Sequence, residues 1–450
     1  MEEIQLTKKY GLPTAITLVV GSVIGAGVFF KAKEIISYTG SIGLSVLAWA
    51  VGGIILLATL YAFAVLAVKY GYGKKAGGFV AYSEIMLGEK YSYGVGWFFA
   101  TVYYPALTAI LAYVSASYTC SLFSLTGDST VWIITFAYLL VIYIMNLLSP
   151  KIAGKFQVST TVIKVIPLIL MAVVGLIIGL VNGTTVSNFA DTSLSKGTGL
   201  LAAIAATAFA YEGGHAVVNL NFEIKNGKRA VPIALIGGGL FIIAIYVLYF
   251  IGVTSALPIG EFISSDNEIG DAFSKIFGGA SSVIVMVFVV ISCLGGTNAF
   301  TLETSRSMYY LSIRNKGLYP SVLKQVDVKT NMPTNSGLVG LGLSAFWVVM
   351  WYLFTTGIFN LNFSDMFILP TYMIYIPIFF MMMFKNKESN WFNRFVAPCL
   401  AILGCLFMCF AVIYSYKMDA LWYMLIVAGI MALGYLIRLF NRKNNDSVAE

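Results

Sequence analysis

The sequence predicts an all-α integral membrane protein with twelve transmembrane helices. Of its 450 residues, 59% are hydrophobic and 11% are charged, whereas soluble domains carry roughly 25% charged residues. Its apolar stretches repeatedly reach the length of about 20 residues that a helix needs to cross a bilayer. Two of these stretches, five apart along the chain, contain clustered glycines that predict interrupted helices.

The predicted spans follow one another without a soluble domain between them. The longest connections lie near 257–279 and 305–335, and the second has room for a short helix. The predicted membrane-spanning segments are 13–30, 41–68, 94–123, 130–149, 156–181, 198–221, 231–256, 280–304, 336–356, 364–384, 395–415 and 420–440.

The distribution of lysine and arginine predicts that both termini lie in the cytoplasm. Most of the 28 basic residues fall on the side of the N-terminus when the spans are counted as alternating. The acidic start, Met1 to Glu3, is followed by no small-residue cleavage site, so we expect no signal peptide. The basic residues on the opposite side are Lys31, Lys33, Lys196, Lys275 and Lys417, and Lys164 lies inside a span.

Composition also excludes several classes of function. The net charge of +8 reflects membrane topology, and we expect no nucleic-acid partner because no soluble basic face is present. A single histidine, His215, argues against a histidine-based metal site or triad. We expect no metal and no cofactor, since the cysteines lie in apolar segments without the spacing of metal ligands, at Cys120, Cys293, Cys399, Cys405 and Cys409.

The first interruption lies at residues 21–29, GSVIGAGVF. Each glycine weakens a helix by about 1 kcal/mol relative to alanine. A break at membrane depth persists only where the freed N–H and C=O groups face a cavity or a ligand. Secondary transporters build their binding sites near the midplane in this way. The run therefore predicts a ligand site.

The sixth span repeats this design at residues 209–215, FAYEGGH. Paired interruptions five spans apart indicate two inverted repeats, because an odd number of spans reverses the second copy. The predicted organisation is a cytoplasmic N-terminus (1–12), a first repeat of helices 1–5 (13–181) and a second repeat of helices 6–10 (198–384). Two added helices (395–440) and a cytoplasmic tail (441–450) follow.

Three motifs in order resemble the amino acid–polyamine–organocation (APC) superfamily. Residues 21–29 resemble its signature G-[ST]-x-I-G-x-G-[VI]-F, and residues 209–213 with 223–226 (EIKN) resemble its sixth-helix motif. Residues 292–299 (SCLGGTNA) and 317–320 (GLYP) are similar to the L-type amino acid transporters and the bacterial serine/threonine exchangers. The resemblance implies a LeuT-type fold of five plus five helices and alternating access.

The sequence departs from the superfamily pattern at several positions. Gly214 replaces the usual tryptophan of the sixth helix, and Ala26 replaces a serine or threonine between the first-helix glycines. The animal L-type proteins tether a partner through an external cysteine between helices three and four. The loop at 126–129 (TGDS) has no cysteine, so no heavy-chain partner is implied.

An amino acid substrate requires partners for a carboxylate and an ammonium group. The half-helix that starts after the first break presents free N–H groups that suit a carboxylate, around Gly25, Ala26 and Gly27. Exposed carbonyls of Ile24, Phe209 and Ala210 suit the ammonium. The resemblance implies that Phe209 covers the substrate, although a packing role is equally compatible with the sequence.

Glu212 and His215 are the polar residues of the second break. A carboxylate at membrane depth costs about 2.5–3.5 kcal/mol on insertion scales, so it marks a functional site by default. Glu212 is predicted to contact the substrate or a gate, with hydrogen bonding to the unwound backbone as the alternative. His215 is predicted to bound the side-chain pocket. Glu303, near the end of the eighth span, is expected to pair with a basic residue at the interface.

Lys164 is the other costly charge. The resemblance places it where sodium sits in related sodium-coupled transporters, and its ammonium is expected to donate to carbonyls of the broken first helix and to eighth-helix groups near Ser292. This role implies sodium independence. The alternative is snorkelling to the cytoplasmic edge.

These features predict a sodium-independent exchanger or proton-linked permease of the cytoplasmic membrane, not an enzyme. The expected substrates are small or neutral L-amino acids. A transporter of cationic amino acids or polyamines is the alternative, motivated by Glu212. A non-transporting membrane sensor is a remote alternative, and the oligomeric state is left open.

Overall fold

The structure is a computed structural model that describes residues 8, 10–25, 27–71, 78–191, 194, 199–356 and 367–449. At residue 128 and residues 441–449 it describes the backbone alone. The α-helices are α1 Leu12–Val23, α2 Gly27–Thr39, α3 Ile42–Tyr70, α4 Gly78–Leu87, α5 Glu89–Phe98, α6 Tyr104–Leu122, α7 Asp128–Leu148, α8 Pro150–Leu170, α9 Leu176–Val181, α10 Thr184–Ala190, α11 Leu200–Tyr211, α12 Gly227–Thr254, α13 Ile259–Ser264, α14 Glu268–Phe277, α15 Ala280–Ser312, α16 Pro320–Leu323, α17 Thr334–Thr355, α18 Ile368–Lys385 and α19 Ala397–Ala449.

Three π-helical segments and two 3₁₀ segments join some of these helices. The π segments are Phe99–Tyr103, Met171–Gly175 and Phe392–Val396, and the 3₁₀ segments are Gly214–Val218 and Asn221–Glu223. The first two π segments continue a helix, so that α5 to α6 and α8 to α9 are each one continuous span.

Within the described residues, ten helices are long and apolar enough to cross a membrane. The prediction of an all-helical membrane protein is therefore confirmed, whereas twelve separate spans are not found. The predicted sixth span contains only the 12-residue α11, because the chain leaves helical geometry at Glu212. The predicted eleventh and twelfth spans form one long helical run with a kink at Lys417, where φ is 44°.

Other boundaries also differ from the prediction. α15 extends to Ser312, well beyond the predicted end at residue 304. The connection at 257–279 contains α13 and α14, and the connection at 305–335 contains α16, as its length allowed. The helical run at the C-terminus continues through Ala449. The predicted start of the tenth span, 364–366, lies outside the described residues.

The two interrupted segments cross each other antiparallel. α1 packs against the 3₁₀ segment that follows the second break, while α2 packs against α11, which precedes it. α12 and α8 support α1, and α15 packs against α6 and α8 on the other side of the core. This arrangement brings both breaks to the centre of the helix bundle.

The chain segments next to α1 and the second 3₁₀ segment are tied together by backbone hydrogen bonds. Tyr10 donates its N–H to the Glu223 carbonyl at 2.9 Å and accepts from the Lys225 N–H at 2.8 Å. The Glu223 carboxylate is bidentate with the guanidinium of Arg306, at 2.6 Å and 3.0 Å. Both side chains are buried, so the ion pair is desolvated.

Removing one charge of this pair should destabilise the protein strongly. Glu223→Gln leaves the Arg306 guanidinium buried without a counter-charge, and we expect the free energy of unfolding to fall by roughly 3–5 kcal/mol. Thermal unfolding of the purified protein in detergent measures the effect.

Glu388→Gln is the matched control, because the Glu388 carboxylate is exposed and lies 3.6 Å from Lys69. Such exposed pairs contribute at most about 1 kcal/mol. Equal losses of stability in the two variants would contradict the assigned role of the buried pair.

Candidate functional site

The two helix breaks touch each other. α1 ends because Ile24 adopts an extended conformation, with φ −70° and ψ 92°. α11 ends because Glu212 is extended, and Gly213 then takes a φ of 101° that favours glycine. The Ser22 hydroxyl donates to the Gly213 carbonyl at 2.8 Å, so a group of one break satisfies a group of the other.

The glycines of the first break have two different packing environments. A Cβ on Gly27 would lie 2.8 Å from the Ala210 Cα and 3.0 Å from Cδ1 of Phe209. Glycine is therefore required at position 27 for α2 to approach α11. A Cβ on Gly25 would have Leu111 as its nearest neighbour, at 3.6 Å, which is an ordinary contact. Ala26, also predicted to line the site, lies outside the described residues.

Lys164 and Ser292 reach the carbonyls of the first break. The Lys164 ammonium is fully buried and donates to the carbonyl oxygens of Gly21, at 2.6 Å, and of Ile24. The Ser292 hydroxyl donates to the Gly25 carbonyl at 3.1 Å. A fixed ammonium thus lies among backbone carbonyls of the kind that coordinate a small cation.

Tyr246 joins the two breaks, and the sequence analysis did not identify it. Its hydroxyl lies 3.1 Å from the carbonyl oxygen of Val23 and 3.1 Å from that of Ala210. The single hydroxyl proton is therefore shared between one carbonyl of each break. Tyr246 is one of 27 tyrosines and lies in the apolar helix α12, so its sequence context carried no signal of this role.

Glu212 belongs to a buried polar cluster. Its Oε1 accepts a short hydrogen bond from the Tyr103 hydroxyl and lies 3.5 Å from Nδ1 of His215. The Tyr375 hydroxyl lies 3.2 Å from the same ring nitrogen. Glu212 and His215 were both predicted to be site residues, and the structure brings them together. Tyr103 and Tyr375 were not identified from the sequence.

A small cavity of about 20 Å³ lies between the breaks, which is enough for about one water molecule. The predicted residues that line it include Gly25, Gly27, Phe209 and Glu212, whereas Ile24, Ala210 and His215 are not part of this lining. The complete lining is Ser22, Val23, Gly25, Gly27, Leu107, Leu111, Phe209, Glu212 and Phe300.

The prediction that Glu303 forms an ion pair at the membrane interface is wrong. Glu303 is buried, and its Oε2 accepts a hydrogen bond of 2.8 Å from the Asn219 amide. The nearby basic residue, Arg306, pairs with Glu223 instead. The physical reason is that Asn219, located after the first 3₁₀ segment, places its amide directly against α15. Asn219 also bonds to the Tyr104 hydroxyl and to the backbone N–H of Phe79.

The architecture is that of a membrane transporter. The structure of Mhp1, a nucleobase-cation-symport-1 family transporter in a closed conformation with bromovinylhydantoin bound, superposes with a TM-score of 0.54. The match covers 92% of this chain and 95% of that one, at 12% sequence identity. At this identity the comparison establishes the fold alone.

The chain belongs to the amino acid permease family, whose sequence model matches residues 10–436. The serine/threonine exchanger SteT of Bacillus subtilis (strain 168) is 28% identical, over 90% of this chain and 91% of its own length. The human cystine/glutamate transporter is 26% identical, over 75% of this chain and 67% of its own. The protein is a multi-pass amino acid transporter and not an enzyme, and the resemblance to the APC superfamily is confirmed.

Alanine substitutions at Gly25 and Gly27 should have different consequences. Gly25→Ala fits sterically, so the protein should fold normally, but the added methyl group fills part of the cavity and should weaken substrate binding at least tenfold. Gly27→Ala forces α2 away from α11, because its Cβ would collide with the Ala210 backbone. Size-exclusion profiles, thermal unfolding and amino acid binding of both variants measure these effects.

Gly237→Ala is the matched control, because no atom lies within 4 Å of the position of its added Cβ. It should leave folding and binding unchanged. Full substrate affinity in Gly25→Ala would contradict the placement of the site at the first break.

Proposed function

We propose that the protein is a sodium-independent transporter of small or neutral L-amino acids in the cytoplasmic membrane, with both termini in the cytoplasm. It works by alternating access, as an exchanger or a proton-linked permease. The observation that carries this proposal is the pair of helix breaks, where the Lys164 ammonium lies among the carbonyls of the first break. The printed activities of the relatives, serine/threonine exchange and cystine/glutamate transport, support amino acid substrates.

The proposed architecture is twelve transmembrane helices with a LeuT-type inverted repeat of five plus five. The antiparallel crossing of α1–α2 with α11 and its following 3₁₀ segment supports it, because inverted repeats place equivalent interrupted segments in opposite directions. The kink at Lys417 supports a division of the last helical run into two spans.

The proposed binding mode places the substrate between the two breaks. Its carboxylate accepts hydrogen bonds from N–H groups at the start of α2, where the helix dipole is positive. Its ammonium is held by carbonyls of the breaks, among them those of Ile24, Phe209 and Ala210. The substrate side chain extends toward Leu107 and Phe300, whose apolar surfaces line the cavity.

The surroundings of Glu212 favour a neutral substrate over a cationic one. Its carboxylate already accepts from Tyr103 and lies beside His215. A carboxylate that holds a cationic substrate would be expected to point into the site without such strong internal partners. We infer that the Glu212 carboxylate takes part in gating or hydrogen-bonds to the unwound backbone. Cationic amino acids or polyamines remain the second candidate, because this carboxylate lines the cavity.

Transport should not require sodium. The Lys164 ammonium occupies the position of a coordinated cation, so uptake into proteoliposomes should be equal in sodium and choline buffers. Lys164→Ala should reduce turnover at least tenfold, because the carbonyls of Gly21 and Ile24 lose their donor. Counterflow of radiolabelled serine measures both effects.

The exposed Lys155 lies on the same helix and provides the control variant Lys155→Ala, which should retain full activity. A strict sodium requirement in the parent protein would overturn the proposed role of Lys164.

Glu212→Gln separates the two candidate substrate classes. With a neutral substrate, glutamine keeps an acceptor for Tyr103, so affinity should stay within about threefold while the transport rate changes. With a cationic substrate, loss of the buried partner should cost roughly 3–5 kcal/mol, which is more than a hundredfold in affinity. Binding of a panel of amino acids and polyamines to both proteins measures the difference.

Glu261→Gln provides the control, because Glu261 is exposed and lies on α13, outside both breaks. We expect the neutral outcome. A selective loss of affinity for cationic ligands in Glu212→Gln would instead establish the second candidate.

A further inference from the structure

Lys31 is a buried cation next to the candidate site. It lies on α2, one helical turn beyond Gly27, and is only 3% exposed. Its ammonium lies 2.7 Å from the Glu34 carboxylate, which also accepts a hydrogen bond of 2.9 Å from the Tyr38 hydroxyl. A lysine near the end of a membrane helix usually extends its ammonium toward water, so an ammonium held inside the protein calls for an explanation.

The ammonium lies over the aromatic residue that lines the cavity. It is 5.8 Å from the centroid of the Phe209 ring and 5.7 Å from that of Phe30. Both distances are within the range of a cation–π interaction. The two rings also pack on each other at 5.7 Å, and Phe209 contacts Phe367 at 6.0 Å.

The ion pair of Lys31 and Glu34 is oriented relative to the site. The side chain of Lys31 is 4% exposed, while that of Glu34 is 31% exposed. The carboxylate is therefore the more exposed end of the pair, and the ammonium is the more buried end. The ammonium lies over Phe209, whose side chain lines the cavity.

We propose that Lys31 determines specificity by excluding amino acids with a cationic side chain. This inference rests on the proposed function, in which Phe209 covers the substrate. One electron-rich face of the Phe209 ring already carries the Lys31 ammonium. A second ammonium in the cavity would be repelled at short range in a medium of low dielectric constant, whereas a neutral side chain pays no such penalty.

The charged groups around the cavity support this assignment. Lys164 is a second ammonium at the first break, and its donors are directed to backbone carbonyls. Glu212 is the carboxylate that lines the cavity, and it accepts a hydrogen bond from the Tyr103 hydroxyl. Lys31 is thus the cation that contacts Phe209, the proposed cover of the site, whereas Glu212 accepts a hydrogen bond from Tyr103.

The test compares neutral and cationic amino acids whose side chains are similar in length. L-homoserine and L-2,4-diaminobutyrate form one pair, and L-norleucine and L-lysine form the other. Their inhibition constants are measured by competition on the full-length protein. Lys31→Met keeps the apolar stem and removes the charge, so the affinity for the cationic member should rise about tenfold relative to its neutral partner.

Two further variants distinguish charge from packing. Lys31→Arg retains the charge and should preserve the wild-type preference for neutral ligands. Lys33→Met is the matched control, because the Lys33 ammonium bonds to the Ser265 carbonyl at 2.7 Å instead of contacting Phe209. It should leave the preference unchanged.

The outcomes separate this inference from the proposed function. An unchanged preference in Lys31→Met, with neutral ligands still bound, would overturn the role of Lys31 alone. Failure of both neutral ligands to bind the wild-type protein would contradict the proposed function itself. Should Lys31→Met not fold, Glu34→Gln replaces it. That variant removes the Glu34 charge beside the ammonium and should sharpen the discrimination about tenfold, and an unchanged preference there would overturn the proposal.

Discussion

The structure depends on satisfying the peptide groups that two helix breaks expose in a medium without water. An unpaired peptide group in hydrocarbon costs several kcal/mol, so each break must be supplied with partners from elsewhere in the chain. Ser22 and Tyr246 join the breaks to each other, and Lys164 and Ser292 hold the carbonyls of the first one. The centre of the bundle is thus a polar junction whose members come from α1, α8, α12 and α15.

The same requirement explains where the buried charges lie. The buried cations are directed to a carbonyl, a carboxylate or an aromatic face, and the carboxylates of Glu212 and Glu303 accept from Tyr103 and Asn219. An isolated charge in this environment would be too costly. The ammonium of Lys164 lies among carbonyls of the first break, and that of Lys31 lies over the Phe209 ring. The Arg306 guanidinium is paired with the Glu223 carboxylate. A cavity of about 20 Å³ lies between the two breaks.

The elements that the sequence predicted well were those with a local cause. Glycine clusters and the cost of a membrane-depth charge identified both breaks, and apolar length identified most spans. The predictions failed where a residue distant in the sequence determines the conformation or the hydrogen-bond partner. Glu303 bonds to Asn219 because the 3₁₀ segment turns that amide toward α15. The sixth span is short because the chain unwinds at Glu212, and hydropathy alone cannot locate the residue where unwinding begins.

The sequence by itself determined the class of protein, the family and the two places where its helices open. Those properties follow from hydrophobic length and from backbone preferences, which act within a few residues of each position. Only the tertiary structure decided which side chains complete the site. Tyr103, Tyr246 and Lys31 acquire their roles from residues more than 30 positions away or from the orientation of a neighbouring ring. Their own sequence neighbours are ordinary membrane helix, so no local pattern records these contacts.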